Sequence, residues 1–155
     1  MARRTSIPLL VLVGLLRGWP GEAADSGAQS VEMAKALFGQ YVELEKAFDP
    51  AVADLYSDQA VITNKRTYPT GQVRELTFPA PKYKELIRQA MPLAKQLSDT
   101  NRYSDCSYRP LGERVEIKCQ RFSERKKYTS PIRLVVGPAA TGKWIIHEEH
   151  SESIP

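Results

Sequence analysis

The closing segment of the chain carries the residues best suited to acid–base chemistry. His147, Glu148, Glu149 and His150 are consecutive in a segment, 143–150, that has the character of a β-strand. On a strand, His147 and Glu149 face one way while Glu148 and His150 face the other. His147 and Glu149 are the candidate catalytic pair, because imidazole titrates near neutral pH; the alternative is a polar strand end near solvent. Two ligands on each face make an incomplete zinc site, so we predict no metal site.

Arg133 is a second candidate, because it interrupts an otherwise apolar strand. Strand alternation puts Arg133 on the face opposite Ile132 and Leu134. If that face is enclosed, the guanidinium needs a carboxylate from the protein or from a ligand, which indicates a small acidic ligand. The alternative is a surface arginine on the outer face of a sheet, at a dimer contact.

The two cysteines, Cys106 and Cys119, are placed to form a disulfide. They flank a turn signal at residues 109–113, and both flanks have strand character. If the two cysteines lie opposite each other in an antiparallel hairpin, the turn between the strands has four residues, 111–114. We therefore predict a cross-strand disulfide between Cys106 and Cys119.

The first 24 residues have the features of a cleavable export signal. Arg3 and Arg4 precede an apolar stretch at 7–16, and Ala23 and Ala24 suit signal peptidase cleavage. The stretch is shorter than the ~20 residues that a membrane-spanning helix needs, so we predict no permanent membrane anchor. The alternative is a buried N-terminal core helix. We expect a signal peptide over 1–24 and one domain over 25–155, exported to a periplasm or out of the cell.

The charge balance argues against a nucleic-acid-binding protein. The 155 residues include 22 Lys plus Arg and 18 Asp plus Glu, and part of the positive excess lies in the predicted leader. The remaining domain is nearly neutral and has no basic stripe interleaved with aromatic residues. The cluster Arg125, Lys126 and Lys127, next to Arg121, is the best candidate for an anion patch; the alternative is a solvated turn between two strands.

Periodicity and capping signals predict an α+β fold. A core helix is expected over 30–47 with Ser30 as its N-cap, and a short helix over 51–56 is capped by Asp49. A hairpin and a third helix, introduced by Pro79 and Pro81, follow. The remainder has the character of a four-strand antiparallel meander with one buried side. The expected strands are, in chain order, 59–65, 72–78, 100–109, 114–122, 127–136 and 143–150.

This order of elements resembles the nuclear transport factor 2-like superfamily. The resemblance is carried by the segment FDPAVADLYSDQAV at 48–61 and by the closing strand GKWIIHEEHS at 142–151, and it covers essentially the whole mature chain. It implies a cystatin-like fold, in which a cone-shaped, curved antiparallel sheet wraps around a long N-terminal helix and leaves an apolar pocket at the open end. The superfamily includes ketosteroid isomerases, scytalone dehydratase, polyketide cyclases and many non-enzymatic members, so it implies little about activity.

The resemblance also suggests residues for the pocket. Ketosteroid isomerases of this superfamily use a tyrosine on the first helix, an aspartate base on the first strand and a protonated aspartate in a Pro-Ile-Asp segment. Tyr41 stands about where the tyrosine would be. Asn64 lies at or near the position of the aspartate base, and Arg133 occupies the position of the protonated aspartate. An amide cannot abstract a proton and an arginine cannot supply a neutral carboxylic acid, so that chemistry is disfavoured. Tyr41, Asn64 and Arg133 remain candidate binding groups.

Two functional classes stay open. The preferred one is an exported binding or interaction module without a cofactor, whose pocket or sheet face holds a small acidic or apolar ligand or a protein partner. A second copy of the chain, joined through the sheet, is one such partner. The other class is a small lyase, isomerase or cyclase acting on an apolar or carboxylated metabolite, with His147, Glu149, Tyr41 or Arg133 in its site. An enzyme needs a base and a hydrogen-bond donor that converge in one dry cavity.

Overall fold

The computed structural model describes the backbone of residues 21–154 and the side chains of residues 26–154. The predicted signal peptide lies outside this range except for residues 21–24, which begin the first helix. Within the described residues, no helix is long and apolar enough to cross a membrane.

The first helix, α1 (Gly21–Lys46), begins before the predicted start at Ser30. Ser30 is not its N-cap, because its hydroxyl donates to the Ser26 carbonyl oxygen one turn earlier, at 2.9 Å. No proline interrupts residues 21–30, so the helix can include the residues ahead of the predicted start at Ser30. The members of its buried face recur at three- and four-residue steps, as in a core helix: Ala34, Leu37, Phe38 and Tyr41.

A 3₁₀ helix, Pro50–Leu55, replaces the predicted short α-helix. Asp49 caps it as expected, since its carboxylate accepts from the Ala51 N–H at 2.8 Å. The chain then forms β1 (Tyr56–Thr67), a turn with Gly71 at φ +82°, and β2 (Val73–Pro79). The second long helix, α2, follows at Ala80–Gln96.

Four further strands complete one curved, unclosed six-stranded sheet. The strands are β3 (Asn101–Leu111), β4 (Arg114–Ser123), β5 (Thr129–Pro138) and β6 (Trp144–Ser153). Their order across the sheet is β2-β1-β6-β5-β4-β3, so the predicted four-strand meander is confirmed. The β1–β6 pair is parallel and the other four pairs are antiparallel, because the closing strand returns beside β1 in the same direction.

Both helices lie over the inner face of the sheet, where the core forms. Inner-face side chains of the central strands contact the apolar face of α1 and the 3₁₀ helix. Fully buried members include Ile62, Ile117, Leu134 and Ile146, together with Leu55. A curved sheet packed on one face and exposed on the other gives the expected alternation along each strand.

Two irregularities in strand pairing change which side chains share a face. Between Tyr56 and Val61 the β1–β6 register shifts, and between Val135 and Val136 the β5–β6 register shifts. On β6 both shifts occur at His147, because Ile146 and Glu148 are paired with residues of β1 and β5 while His147 between them is not. A bulge interrupts the two-residue period, so His147 does not follow simple alternation.

The predicted disulfide joins Cys106 on β3 to Cys119 on β4. The hairpin register is the expected one, with Leu111 opposite Arg114 across a tight turn. A further register shift between Ser104 and Ser107 lies at Cys106. The bridge is typical of proteins located outside the cytoplasm.

We predict that removing the bridge with the double substitution Cys106→Ala and Cys119→Ala lowers the free energy of unfolding by ~3 kcal/mol, because the open chain gains conformational entropy when it unfolds. Urea denaturation at neutral pH measures the change. A reductant should destabilise the wild type similarly and leave the double variant unaffected. Equal stability of the two proteins under oxidising conditions would contradict the prediction.

Candidate functional site

The inner face of the sheet changes from apolar to polar toward one end. On β4 the inward side chains Val115 and Ile117 are apolar, and Arg121, farther along the same face, is charged. On β5 the inward side chains Leu134 and Ile132 are apolar, and Ser130 is polar. Neighbouring strands continue the polar end with Asn64 and Arg66 on β1, Glu149, Ser151 and Ser153 on β6, and Asn101 and Tyr103 on β3. We call this set of side chains, together with Tyr41 and Glu45 of α1, the polar end. A row of polar groups inside a fold requires partners to offset desolvation.

Glu149 is the most deeply buried charged residue of the polar end, at 2% exposure. Its carboxylate accepts a hydrogen bond from the Tyr56 hydroxyl and another from the Tyr83 hydroxyl, the latter at 2.9 Å. Tyr56 begins β1 and Tyr83 lies in the first turn of α2, so one carboxylate links three elements. The two phenol rings meet edge to face, with centroids 5.5 Å apart.

Glu45, near the C-terminus of α1, forms a second carboxylate site. It accepts from the Tyr103 hydroxyl at 2.7 Å and from the Asn101 amide at 2.8 Å. Tyr41 lies one turn before Glu45 and packs edge to face against Tyr103, with ring centroids 6.1 Å apart. Burial raises the pKa of the Glu45 carboxyl, although the hydrogen bonds from Tyr103 and Asn101 oppose that shift.

Arg121 on β4 lies in the electrostatic field of both carboxylates and of Tyr41 and Tyr103. Its guanidinium donates to the Glu152 carbonyl oxygen at 2.9 Å. Among the described residues it forms no ion pair. It lines a cavity of about 260 Å³ at the polar end, which we call the mouth cavity. The other lining residues are Glu45, Phe48, Met91, Ala94, Asp99, Asn101, Ser123, Lys126 and Tyr128.

His147 and Glu149 do not come together. The bulge places His147 in a separate cavity of about 340 Å³, with Arg114, Pro138 and Ile145 among its lining residues, while Glu149 contacts the tyrosines inside. Burial lowers the pKa of the His147 imidazole. The expectation that His147 and Glu149 share a face was therefore wrong, because it assumed an unbroken two-residue period.

Arg133 lies on the outer face of the sheet, away from the polar end. Its guanidinium donates to Glu116 at 2.6 Å and to Glu148 at 2.9 Å, so its carboxylate partners belong to the protein. Glu148 also contacts His150 at 3.2 Å, and the His150 ring contacts the Thr63 hydroxyl at 2.7 Å. An outer groove of about 420 Å³ lies here; Lys65, Lys118 and Arg133 line it, and each pairs with a glutamate.

The other two predicted binding residues lie inside. Tyr41 is buried in the core next to the polar end, at 6% exposure. Asn64 donates to the Ser151 hydroxyl at 3.0 Å and accepts from the Ser153 hydroxyl at 2.9 Å. Its amide is thus bonded to neighbouring strand residues at the rim of the polar end.

Four residues that form the two carboxylate sites were not predicted from sequence as site residues: Glu45, Tyr56, Tyr83 and Tyr103. Each lies at a helix or strand position whose spacing already fits a buried face. Its residue type therefore does not distinguish a site residue from an ordinary core residue. Arg121 was noted only as the neighbour of the basic cluster at 125–127, which forms the β4–β5 turn as expected. Within the described residues, no group of three or more His, Cys, Asp and Glu side chains is arranged to hold a metal ion.

We predict that the buried tyrosines make the protein sensitive to alkali. Burial raises the pKa of Tyr41, Tyr56, Tyr83 and Tyr103 well above the usual 10.0. Because the pKa is higher in the folded than in the unfolded state, their contribution to stability is present below pH ~10 and is lost as the pH rises further. Tyrosinate absorbance should show four of the seven tyrosines ionising only together with unfolding followed by circular dichroism. Smooth ionisation of all seven in a folded protein would refute this.

We also predict that the outer-face ion pair stabilises the fold in a pH-dependent way. The Arg133 hydrogen bond, with help from Arg109 and Lys118, lowers the pKa of Glu116 from 4.5 to about 2. Because the pKa is lower in the folded state, the stabilisation is present above pH ~4.5 and is lost as the pH falls toward 2. Glu116→Gln should cost about 1 to 3 kcal/mol at neutral pH, because Arg133 loses a charged acceptor.

Urea denaturation at several pH values tests the Glu116 prediction. The difference between wild type and Glu116→Gln should shrink steadily as the solution is made more acidic. Glu75→Gln, which removes a carboxylate from the exposed edge strand, is the matched control and should change stability little. A difference that stays constant with pH would show that charge on Glu116 does not matter.

Comparisons with known proteins identify the fold. No protein-family model and no curated protein sequence matches the chain. Among solved structures, a nuclear transport factor 2-like protein of unknown function from Pseudomonas putida KT2440 is similar with a TM-score of 0.63 and 10% identity, over 81% of this chain and 87% of that one.

Two further solved structures are similar to the chain in the same way. A nuclear transport factor 2-like protein with a cystatin-like fold, from Novosphingobium aromaticivorans, has a TM-score of 0.59 and 13% identity, over 84% of this chain and 85% of that one. A protein from Streptomyces avermitilis, provisionally named as a dehydratase of the same family, has a TM-score of 0.57 and 13% identity, over 83% of this chain and 98% of that one. The predicted resemblance is confirmed at the level of structure: the chain has the nuclear transport factor 2-like, cystatin-like fold.

Proposed function

We propose that the protein is an exported binding protein that holds a small molecule at the polar end of its sheet and does no chemistry on it. Export is supported by the Cys106–Cys119 disulfide and by the leader features of residues 1–24. Periplasmic and extracellular locations both fit these features.

The observation that carries the proposal is the unusual polarity of the interior. A domain that needed only to fold would be expected to fill this space with apolar side chains, because buried ionised groups lose hydration. Here the Glu45 carboxylate and the Arg121 guanidinium line the mouth cavity, and the Glu149 carboxylate lies farther inside with four buried or half-buried tyrosines. Concave, partly apolar sites with a few convergent polar groups are typical of small-molecule binding.

Binding is favoured over catalysis by the state of the carboxylates. Each oxygen of Glu149 already accepts from a tyrosine, and Glu149 is 2% exposed. Each oxygen of Glu45 is bonded in the same way. A general base must reach the proton that it removes. Glu149 does not line the mouth cavity, and both oxygens of Glu45, which does line it, are already bonded. The His147 and Glu149 couple, our sequence-based catalytic candidate, is separated by the bulge.

The second candidate function is a small lyase, isomerase or cyclase, and one observation favours it. The Glu149 carboxylate and two phenol donors do converge in a buried site, which is the arrangement that proton transfer at carbon requires. Opening of the Tyr83 contact on α2 would free one oxygen of Glu149. A protein partner or a second copy of the chain on the outer face of the sheet stays a prediction beside both candidates.

The proposal is tested by identifying what co-purifies with the exported protein. We predict that mass spectrometry of extracts from the purified mature protein detects one small molecule at near-stoichiometric amount. Ala94→Trp should abolish it, because Ala94 lines the mouth cavity and the indole fills that space. Ala90→Trp, an exposed position one turn earlier on α2, should retain it.

Two outcomes would count against the proposal. Equal occupancy of the Ala94→Trp and Ala90→Trp variants would place the ligand elsewhere. A product whose formation is lost in Glu149→Gln, while ligand binding persists, would establish the enzymatic candidate instead.

A further inference from the structure

The guanidinium of Arg121 lies in the field of two carboxylates but forms no ion pair with either among the described residues. A guanidinium carries five N–H donors, and Arg121 uses one hydrogen-bond acceptor among the described residues, the Glu152 carbonyl oxygen. Arg133, on the outer face, shows the contrast, since it is bonded to two glutamates. An arginine enclosed beside a cavity is expected to hold a carboxylate or a phosphate in its planar fork.

The nearby carboxylates do not fill this role. Glu45 and Glu149 both act on Arg121 through space, but no oxygen of either lies within 4.0 Å of the guanidinium. Their oxygens accept from neutral donors, namely tyrosine hydroxyls and the Asn101 amide. The fold thus keeps the carboxylates of Glu45 and Glu149 apart from the half-buried guanidinium, which leaves Arg121 available to an acidic group from outside.

A second, independent feature lies directly beside Arg121. Ser130 on β5 is the pairing partner of Arg121 on β4, so the two side chains project from neighbouring strands on the inner face. Ser130 is 5% exposed, and its hydroxyl has no hydrogen-bond partner among the described residues. A buried hydroxyl without a partner costs free energy, and a ligand oxygen at Arg121 would satisfy it.

We propose that the ligand of the polar end is a small carboxylate with an apolar body, bound through the Arg121 guanidinium, which lines the mouth cavity, and the Ser130 hydroxyl, which lies next to Arg121 on the neighbouring strand and does not itself line the cavity. This inference rests on the proposed binding function and names its ligand class. One carboxylate oxygen accepts from Arg121 alone, and the other accepts from both Arg121 and Ser130. The apolar body lies in the mouth cavity, against Phe48, Met91 and Tyr128.

The size and charge of the mouth cavity support this class. Its volume of about 260 Å³ suits a ligand of modest size, such as an aromatic or short-chain acid, rather than a large metabolite. Lys126 also lines it and donates to the Ile154 carbonyl oxygen at 3.4 Å. The two acidic lining residues already have partners, since Glu45 is bonded to Tyr103 and Asn101, and Asp99 lies 3.7 Å from the Arg125 guanidinium. A single carboxylate matches the single planar fork, whereas a phosphate would bring more charge than Arg121 offsets.

Calorimetric titration of the mature protein with phenylacetate and with phenylacetamide tests the ligand class. The two probes have nearly the same shape and differ in charge. We predict that the wild type binds phenylacetate about tenfold or more tightly than the amide at low ionic strength, because a charged hydrogen bond is stronger than a neutral one. Ser130→Ala, a small change at a buried site, should weaken phenylacetate binding about threefold or more and leave phenylacetamide binding nearly unchanged.

Arg121→Gln should remove the preference for the carboxylate. Arg102→Gln is the matched control, because Arg102 is an exposed arginine on β3 that pairs with Glu124 and lies outside the mouth cavity. It should bind both probes as the wild type does. If Arg121→Gln does not fold, the comparison of the two probes on the wild type and on Ser130→Ala still decides the question.

The outcomes separate this inference from the proposed function. Equal affinity for phenylacetate and phenylacetamide, or a carboxylate preference that survives in Arg121→Gln, overturns the ligand class. An uncharged molecule that co-purifies and is lost in Ala94→Trp also overturns the class, while the proposed binding function stands. Absence of any co-purified molecule together with no binding of either probe overturns both.

Discussion

Burial of the Glu149 carboxylate between two phenol hydroxyls is the contact on which the polar interior depends. Glu149 belongs to β6, Tyr56 to the start of β1 and Tyr83 to α2, so three elements that are distant in sequence meet at one charge. A carboxylate withdrawn from water needs these donors, and the donors in turn require their elements to stay in place. The inner face can therefore be polar at one end without unfolding the domain. The same contact fixes the position of α2 over the sheet, and α2 forms one wall of the mouth cavity through Met91 and Ala94.

The polar end and the outer face deal with charge in different ways. On the outer face, Glu116 is bonded to Arg133 and also meets Arg109 and Lys118, so its charge is offset within the protein. At the polar end, neutral donors hold the carboxylates, and Arg121 has a backbone acceptor in place of a counterion. Paired charges of the first kind stabilise and specify a fold, whereas an enclosed cation without a counterion attracts an anionic ligand. This difference is why Arg121, and not Arg133, carries the proposed binding role.

The elements could be predicted from the sequence because their signals are local. The spacing of Leu37, Phe38 and Tyr41 marks a buried helix face, Asp49 before Pro50 marks a cap, and the turn between Cys106 and Cys119 sets a hairpin register. The site could be predicted only in part. Tyr41 is buried, and its role as a binding group stays a prediction. The bulge at His147 arises from pairing with β1 and β5, which no local pattern of β6 encodes. In the sequence, Arg121 is only a neighbour of the basic turn at 125–127. Its enclosure depends on the curvature of the sheet and on packing against α1, and neither can be read from the residues around Arg121.

The central claim is that an acidic ligand enters the polar end and meets Arg121. A crystal structure of the mature protein with phenylacetate tests it most directly, because it locates the carboxylate among the competing surfaces. The account predicts a carboxylate within hydrogen-bonding distance of the Arg121 guanidinium and the Ser130 hydroxyl, with the phenyl ring near Phe48 and Tyr128. A carboxylate seated in the outer groove beside Lys65 and Lys118, with Arg121 and Ser130 unchanged, would contradict it.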